Sequence, residues 1–273
     1  MARTITQPLN DGAHIPLLGL GVYEIPPGPE TEAAVLWALD AGYRHIDTAS
    51  VYENEADVGR AIRSSGIPRE EIFVTTKLWN ADQGFREGRA AMLASLDRLE
   101  MEYVDLYLIH WPIQETRRES WRALESLHAE KRARSIGVSN FLIPHLEDLL
   151  AHAEIVPAVN QVECHPFGYD RDLWDYCRLQ GIAIQAYAPL ARGTRLDDPT
   201  VLQLAETHEK SAAQILLRWS LQHGHIVLPK SVRRERIEAN AAIFDFELSD
   251  EEMRRLDDLE EGLHTCWDPR NVD

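Results

Sequence analysis

Short apolar or β-branched runs alternate with helical patterns along this chain, and the alternation limits the possible folds more than any other feature. The runs lie at 17–20, 44–47, 72–77, 104–110, 133–138, 158–161, 182–187 and 226–229, each too short to be a helix. Helical periodicity follows at 30–41, 54–64, 86–99, 120–130, 144–151, 171–179, 212–221 and 234–242, with extra helices expected at 199–208 and 250–259. Eight strands, each followed by a helix, predict an α/β fold of the (β/α)8 TIM-barrel type. A doubly wound sheet is the competitor, and the strand count favours the barrel. Ahead of the first barrel strand, short apolar runs flank Asn10-Asp11-Gly12, a β-hairpin signal, and the hairpin is expected to plug one end.

No Ser/Gly/Pro-rich linker, repeat or low-complexity tract interrupts the 273 residues, so a single domain over 1–273 is expected. Met1-Ala2-Arg3-Thr4 opens no apolar leader, and no apolar run approaches the roughly 18–20 residues that span a bilayer. A cytoplasmic protein is expected. Three widely spaced cysteines, Cys164, Cys177 and Cys266, argue against a disulfide framework and against a zinc cluster, so no metal is expected. The formal charge of -17 disfavours nucleic acid and anionic membranes as partners. One segment opposes that background. Lys230-Ser231-Val232-Arg233-Arg234-Glu235-Arg236 concentrates cations, as a site for a small phosphate would require.

Asp47, Lys77, His110, Asn140, Gln161 and Tyr187 all fall at or just past the C-terminal ends of predicted strands. That is the face on which a barrel carries its active site. With Tyr52, they suit proton donation to a carbonyl oxygen. A phenol is a weak acid at neutral pH, and a neighbouring ammonium, Lys77, is expected to bring its pKa down. Asp47 is expected to pair with that buried lysine, and His110 to donate a hydrogen bond that orients the carbonyl. Taken singly, each residue could be structural: an ion pair, a helix-entry tyrosine, a core histidine. Hydride must come from a cofactor, because no side chain donates it. Gly19-Leu20-Gly21-Val22-Tyr23-Glu24 lacks the third glycine of a Rossmann fingerprint and reads as a tight strand-to-loop passage.

At this point the chain resembles the aldo-keto reductase family, in the bacterial type similar to 2,5-diketo-D-gluconate reductases. Gly42-Tyr43-Arg44-His45-Ile46-Asp47-Thr48-Ala49 with Tyr52-Glu53-Asn54-Glu55 resembles the first signature, and Ile136-Gly137-Val138-Ser139-Asn140-Phe141 the second. Val159-Asn160-Gln161-Val162-Glu163-Cys164-His165-Pro166, Ala186-Tyr187-Ala188-Pro189-Leu190 and Leu228-Pro229-Lys230-Ser231-Val232 complete it. The resemblance implies a catalytic tetrad of Asp47, Tyr52, Lys77 and His110 acting with NADPH on a small carbonyl compound. It implies that Ser139, Asn140 and Gln161 hold the carboxamide, that Tyr187 stacks on the nicotinamide, and that Leu190 lies along the pyrophosphate. Lys230, Ser231, Val232, Arg233 and Arg236 would surround the adenosine 2′-phosphate, with Asn240 at the adenine. Tyr23, Trp79, Trp111 and Trp267 would line the substrate pocket. A monomer is expected.

Three departures from the family pattern carry expectations. Ala239 removes a contact near the adenine. Glu53, after the tyrosine, adds a carboxylate near the mouth that would disfavour acidic substrates. The short 191–198 loop would let the cofactor exchange more easily. Two other functions compete: a Schiff-base barrel enzyme using Lys77 as nucleophile, and a nucleotide-binding sensor or scaffold with little turnover.

Overall fold

Eight parallel strands form the core of the protein, seen in a computed structural model that describes residues 5–271. Residues 1–4, read above for their lack of apolarity, lie outside the described residues, as do 272–273. The antiparallel hairpin is β1 (Thr6–Pro8) and β2 (His14–Pro16). The barrel strands are β3 (Leu20–Gly21), β4 (His45–Asp47), β5 (Phe73–Leu78), β6 (Val104–Ile109), β7 (Ala133–Ser139), β8 (Val159–Glu163), β9 (Ala183–Tyr187) and β10 (Ile226–Leu228). They pair in chain order. The first and last meet through a parallel bridge between Leu18 and Val227, where Gly19 N donates to Val227 O at 2.9 Å and Val227 N to Leu17 O at 2.8 Å. This closes the barrel.

Closure explains why the first strand differs from its expected span of 17–20. A Cβ on Gly19 would lie 2.7–2.8 Å from Leu228 and the His45 ring, so only glycine lets β3 approach both neighbours. Regular pairing with β4 then covers only Leu20 and Gly21. At the opposite end the hairpin's Leu9 and Ile15 pack on Phe73, Leu106, Ala158 and Ile226, at or near the strand starts. The hairpin therefore plugs the N-terminal end.

The ten expected helices all form: α1 (Pro29–Asp40), α2 (Glu55–Ser64), α3 (Phe85–Leu99), α4 (Arg117–Ala129), α5 (Ile143–Leu150), α6 (Arg171–Leu179), α7 (Pro199–His208), α8 (Ala212–Gln222), α9 (Arg234–Ala241) and α10 (Asp250–Asp257). α4 starts three residues earlier than its apolar periodicity indicates, because its first turn, Arg117-Arg118-Glu119, is polar. Local chemistry sets several starts. Ser211 and Ser249 make reciprocal capping boxes with Gln214 and Glu252, and the Asp170 and Asp198 carboxylates cap α6 and α7. Among the described residues, no helix is long and apolar enough to cross a membrane.

Candidate active site

Asp47 is the last residue of β4 and Lys77 the penultimate residue of β5, so adjacent parallel strands deliver both to one end of the barrel. Lys77 Nζ lies 2.5 Å from Asp47 Oδ1 and 2.9 Å from Thr48 O, and it reaches the Tyr52 hydroxyl at 3.4 Å. Both ends of this ion pair are buried. Tyr52 ends a single 3-10 turn after β4. Buried Asn54 pins that turn, accepting from Thr48 Oγ1 at 2.8 Å and donating to Val22 O and Ile25 O. Ser50 Oγ adds a bond to Lys77 O. His110 follows β6 directly, with its ring edge-on to Tyr52 at 5.8 Å and to Trp79 at 5.3 Å.

Burial dominates the electrostatics. It pushes the Asp47 carboxyl up and the Lys77 ammonium down, and their mutual contact opposes both shifts. Burial, followed by the Asp47 charge, holds the Tyr52 phenol well above its ordinary value. The expectation that Lys77 brings the phenol toward the neutral range is therefore corrected: desolvation by the surrounding walls outweighs the ammonium, and Tyr52 stays protonated. His110 is held well below the usual imidazole value by burial and by the Lys77 charge, so it is neutral at pH 7. Its Nδ1 is buried without a hydrogen-bond partner among the described residues.

Beside the tetrad, the expected carboxamide residues bond to one another. Asn140 Nδ2 donates to His110 O at 3.0 Å, Ser139 Oγ to Gln161 O at 2.9 Å, and Tyr187 OH to Asn140 Oδ1 at 2.8 Å. Gln161 Nε2 donates to Asp47 Oδ2 at 2.8 Å and to Gln185 Oε1 at 2.7 Å. That leaves Gln161 Oε1 unused by any described hydrogen bond, an acceptor suited to an amide N–H. Gln185 was missed by sequence reasoning. It lies two residues before Tyr187 on β9, and strand alternation could have placed it inside the barrel.

A cavity of about 1160 Å³ runs from these residues past Leu190 to the start of α9. Asp47, Tyr52, His110, Ser139, Asn140, Gln161, Tyr187, Leu190, Lys230, Ser231, Arg236, Asn240, Tyr23, Trp79, Trp111 and Trp267 line it. Lys77 lies beneath the wall. Val232 and Arg233 are not among the lining residues; Val232 packs on the core and Arg233 is the exposed N-cap of α9. Of the described ion pairs none involves Lys230, Arg233 or Arg236, whereas Arg234 pairs with Glu238. Unpaired cations beside a helix N-terminus fit a phosphate. Glu53 is exposed and not among the lining residues, so the structure does not place its carboxylate at the cavity wall. The 191–198 loop is short but not detached: Arg192 Nη2 donates to Glu24 Oε2 at 2.7 Å, and both residues line the cavity. This pair, 168 positions apart, had no sequence signal. A smaller cavity of about 550 Å³ beside the hairpin holds none of the expected site residues.

Barrel, strand-end cluster and cavity together define a barrel oxidoreductase, and comparison with known proteins gives the family. Residues 18–261 match the Aldo/keto reductase family, and the chain belongs to it. It is 50% identical over 254 residues to glyoxal reductase of Bacillus subtilis (strain 168), covering 93% of this chain and 92% of that one. It is 50% identical over 269 residues to the uncharacterized oxidoreductase YtbE of the same organism, covering 97% of this chain and 96% of that one. Among solved structures, an aldo/keto reductase from Brucella melitensis superposes with a TM-score of 0.91 at 48% identity, covering 94% of this chain and all of that one. An aldo-keto reductase of Bombyx mori in complex with NADP gives a TM-score of 0.91 at 37% identity, covering 97% and 96%.

Proposed function

We propose that this protein reduces aldehydes and ketones to alcohols with NADPH, Tyr52 being the proton donor. The observation that carries the reading is the Tyr52–Lys77–Asp47 chain, opening into the same cavity as Lys230 and Arg236, which have no ion-pair partner among the described residues. When bound, the cofactor supplies hydride to the carbonyl carbon. Tyr52 gives its hydroxyl proton to the carbonyl oxygen. Lys77, 3.4 Å away, then stabilises the phenolate that remains, while Asp47 keeps the lysine charged. Neutral His110 donates one ring N–H to the carbonyl oxygen and sets its direction. Gln161, Asn140 and Ser139 would hold the carboxamide, Tyr187 the ring face, Leu190 would lie along the pyrophosphate, and Lys230, Ser231 and Arg236 would hold the 2′-phosphate, with Asn240 at the adenine. The charge-assisted contacts to a phosphate monoester favour NADPH over NADH.

Trp79 and the nearly buried Trp111 form the walls of the substrate side, with Tyr23 and Trp267 more exposed. Arg192, a cation that lines the cavity, is engaged by Glu24. An aromatic pocket without a free cation suits uncharged carbonyls, keto-sugars and short dicarbonyls included, and similarity to a glyoxal reductase supports the last class. Lys77 is fully buried against Asp47, which argues against a Schiff-base nucleophile. The protein is read as one barrel domain over 1–273, a cytoplasmic monomer. The test is NADPH oxidation by the wild-type protein across aryl aldehydes, keto-sugars and short dicarbonyls. Turnover of at least one class is expected. Tight NADPH binding without any turnover would return the sensor or scaffold reading.

A further inference from the structure

Glu163 closes β8 two residues after Gln161, and its side chain is 5% exposed. The proposed reaction gives it no part. Its carboxylate nevertheless collects most of the described polar contacts of residues 264–266. Oε1 accepts from Thr265 N at 2.7 Å and from Thr265 Oγ1 at 2.5 Å; Oε2 accepts from Cys266 N at 3.3 Å and lies 3.7 Å from His264 Nδ1. Buried His165 supports it from below, Nε2 to Oε1 at 3.2 Å. A second set of contacts brings the segment to that carboxylate. Glu261 N and Leu263 N both donate to Phe167 O, and a Cβ on Gly168 would sit 2.0 Å from Leu263 O. The next residues, Thr265, Cys266 and Trp267, line the cavity, and the Trp267 ring lies 5.9 Å from that of Trp111.

We propose that Glu163 is a positioning residue for substrate: its carboxylate fixes the 264–267 segment as the wall facing Trp111, and so sets which carbonyl compounds fit. The inference rests on the carbonyl-reductase reading for its kinetic arm only. An acceptor-only group suits the task. Two backbone N–H groups and one hydroxyl converge on it, and no apolar residue could satisfy them. β8 thereby serves both sides of the cavity, Gln161 toward the cofactor and Glu163 toward the substrate wall.

The test compares wild type with Glu163→Ala, Glu163→Gln and Thr265→Val. Trp267 emission is isolated by subtracting the Trp267→Phe spectrum in each background, and KM and kcat are measured for a bulky aryl aldehyde and a short dicarbonyl. Release of the segment shifts Trp267 emission in Glu163→Ala. It raises KM for the aryl aldehyde about tenfold while kcat stays within about twofold, and leaves the dicarbonyl KM and NADPH affinity near wild type. Glu163→Gln, which keeps one acceptor oxygen, recovers part of both changes. Thr265→Val removes the hydroxyl contact from the other side, leaves the two backbone N–H bonds, and carries the test with a smaller shift in the same direction if Glu163→Ala does not fold. Unchanged Trp267 emission in both variants, or an equal loss for both substrates together with NADPH affinity, would overturn the proposal. If wild type reduces no carbonyl, the functional reading fails while the spectral arm still tests the tether.

Discussion

Glu53 and Lys77 show how differently single residues on the same face of the barrel can be constrained. Glu53 has φ 59, the left-handed region, where a Cβ costs roughly 1 kcal/mol relative to glycine. Because it is exposed and absent from the cavity wall, Glu53→Gly is expected to raise stability by up to about 1 kcal/mol with kcat unchanged, read from urea midpoints and initial rates. Lys77 is the opposite. Replacing it by methionine leaves the Asp47 carboxylate buried and unpaired, a loss of about 3–5 kcal/mol in stability, and lowers carbonyl reduction by at least about 100-fold. Adding Asp47→Asn restores much of the stability and none of the activity, which separates the two roles. The residue types and positions of the tetrad were legible because strand-end placement sorts reactive groups onto one face. Their protonation was not, since desolvation of Tyr52 depends on how deeply the folded walls enclose it.

Elements bring together what sequence spacing cannot. The 3-10 turn after β9 carries Arg192 to Glu24 across the cavity, an exposed pair worth little to static stability. Its consequence is kinetic. Arg192→Ala is expected to speed NADPH release several-fold in a stopped-flow chase, with global stability unchanged. The resemblance to the family read the short loop as easy exchange; its tie to Glu24, 168 positions away, had no sequence signal. The start of α9 was legible, since Lys230, Arg233 and Arg236 stand out against an acidic chain, although only Lys230 and Arg236 reach the cavity. Arg236→Ala should weaken NADPH binding about 10- to 100-fold and leave NADH binding nearly unchanged, as titration of each cofactor would show.

The barrel as a whole was readable from the alternation of strand and helix, because parallel strands buried on both faces are continuous apolar runs. Closure through Gly19 and the plugging contacts of Leu9 and Ile15 required the three-dimensional register. The filled interior also fixes an acid response. Burial holds His45 and His225 at about 3, well below the unfolded value near 6.5. A depressed folded pKa means that only the unfolded chain takes up these protons between those values. Stability therefore falls as pH drops below about 6.5 toward 3. Urea midpoints measured from pH 7 to pH 4 should decline, and a His45→Asn/His225→Asn variant should decline less, whatever its stability at pH 7.

All of these arrangements converge on one hydroxyl. The most direct measurement pairs an NADPH binding titration with the rate of carbonyl reduction in Tyr52→Phe, which removes the proton while keeping the ring between Tyr23 and His110. The predicted result is NADPH affinity within about twofold of wild type and reduction slowed at least about 1000-fold. Turnover retained within about tenfold of wild type would contradict Tyr52 as the proton donor and, with it, the account of the site.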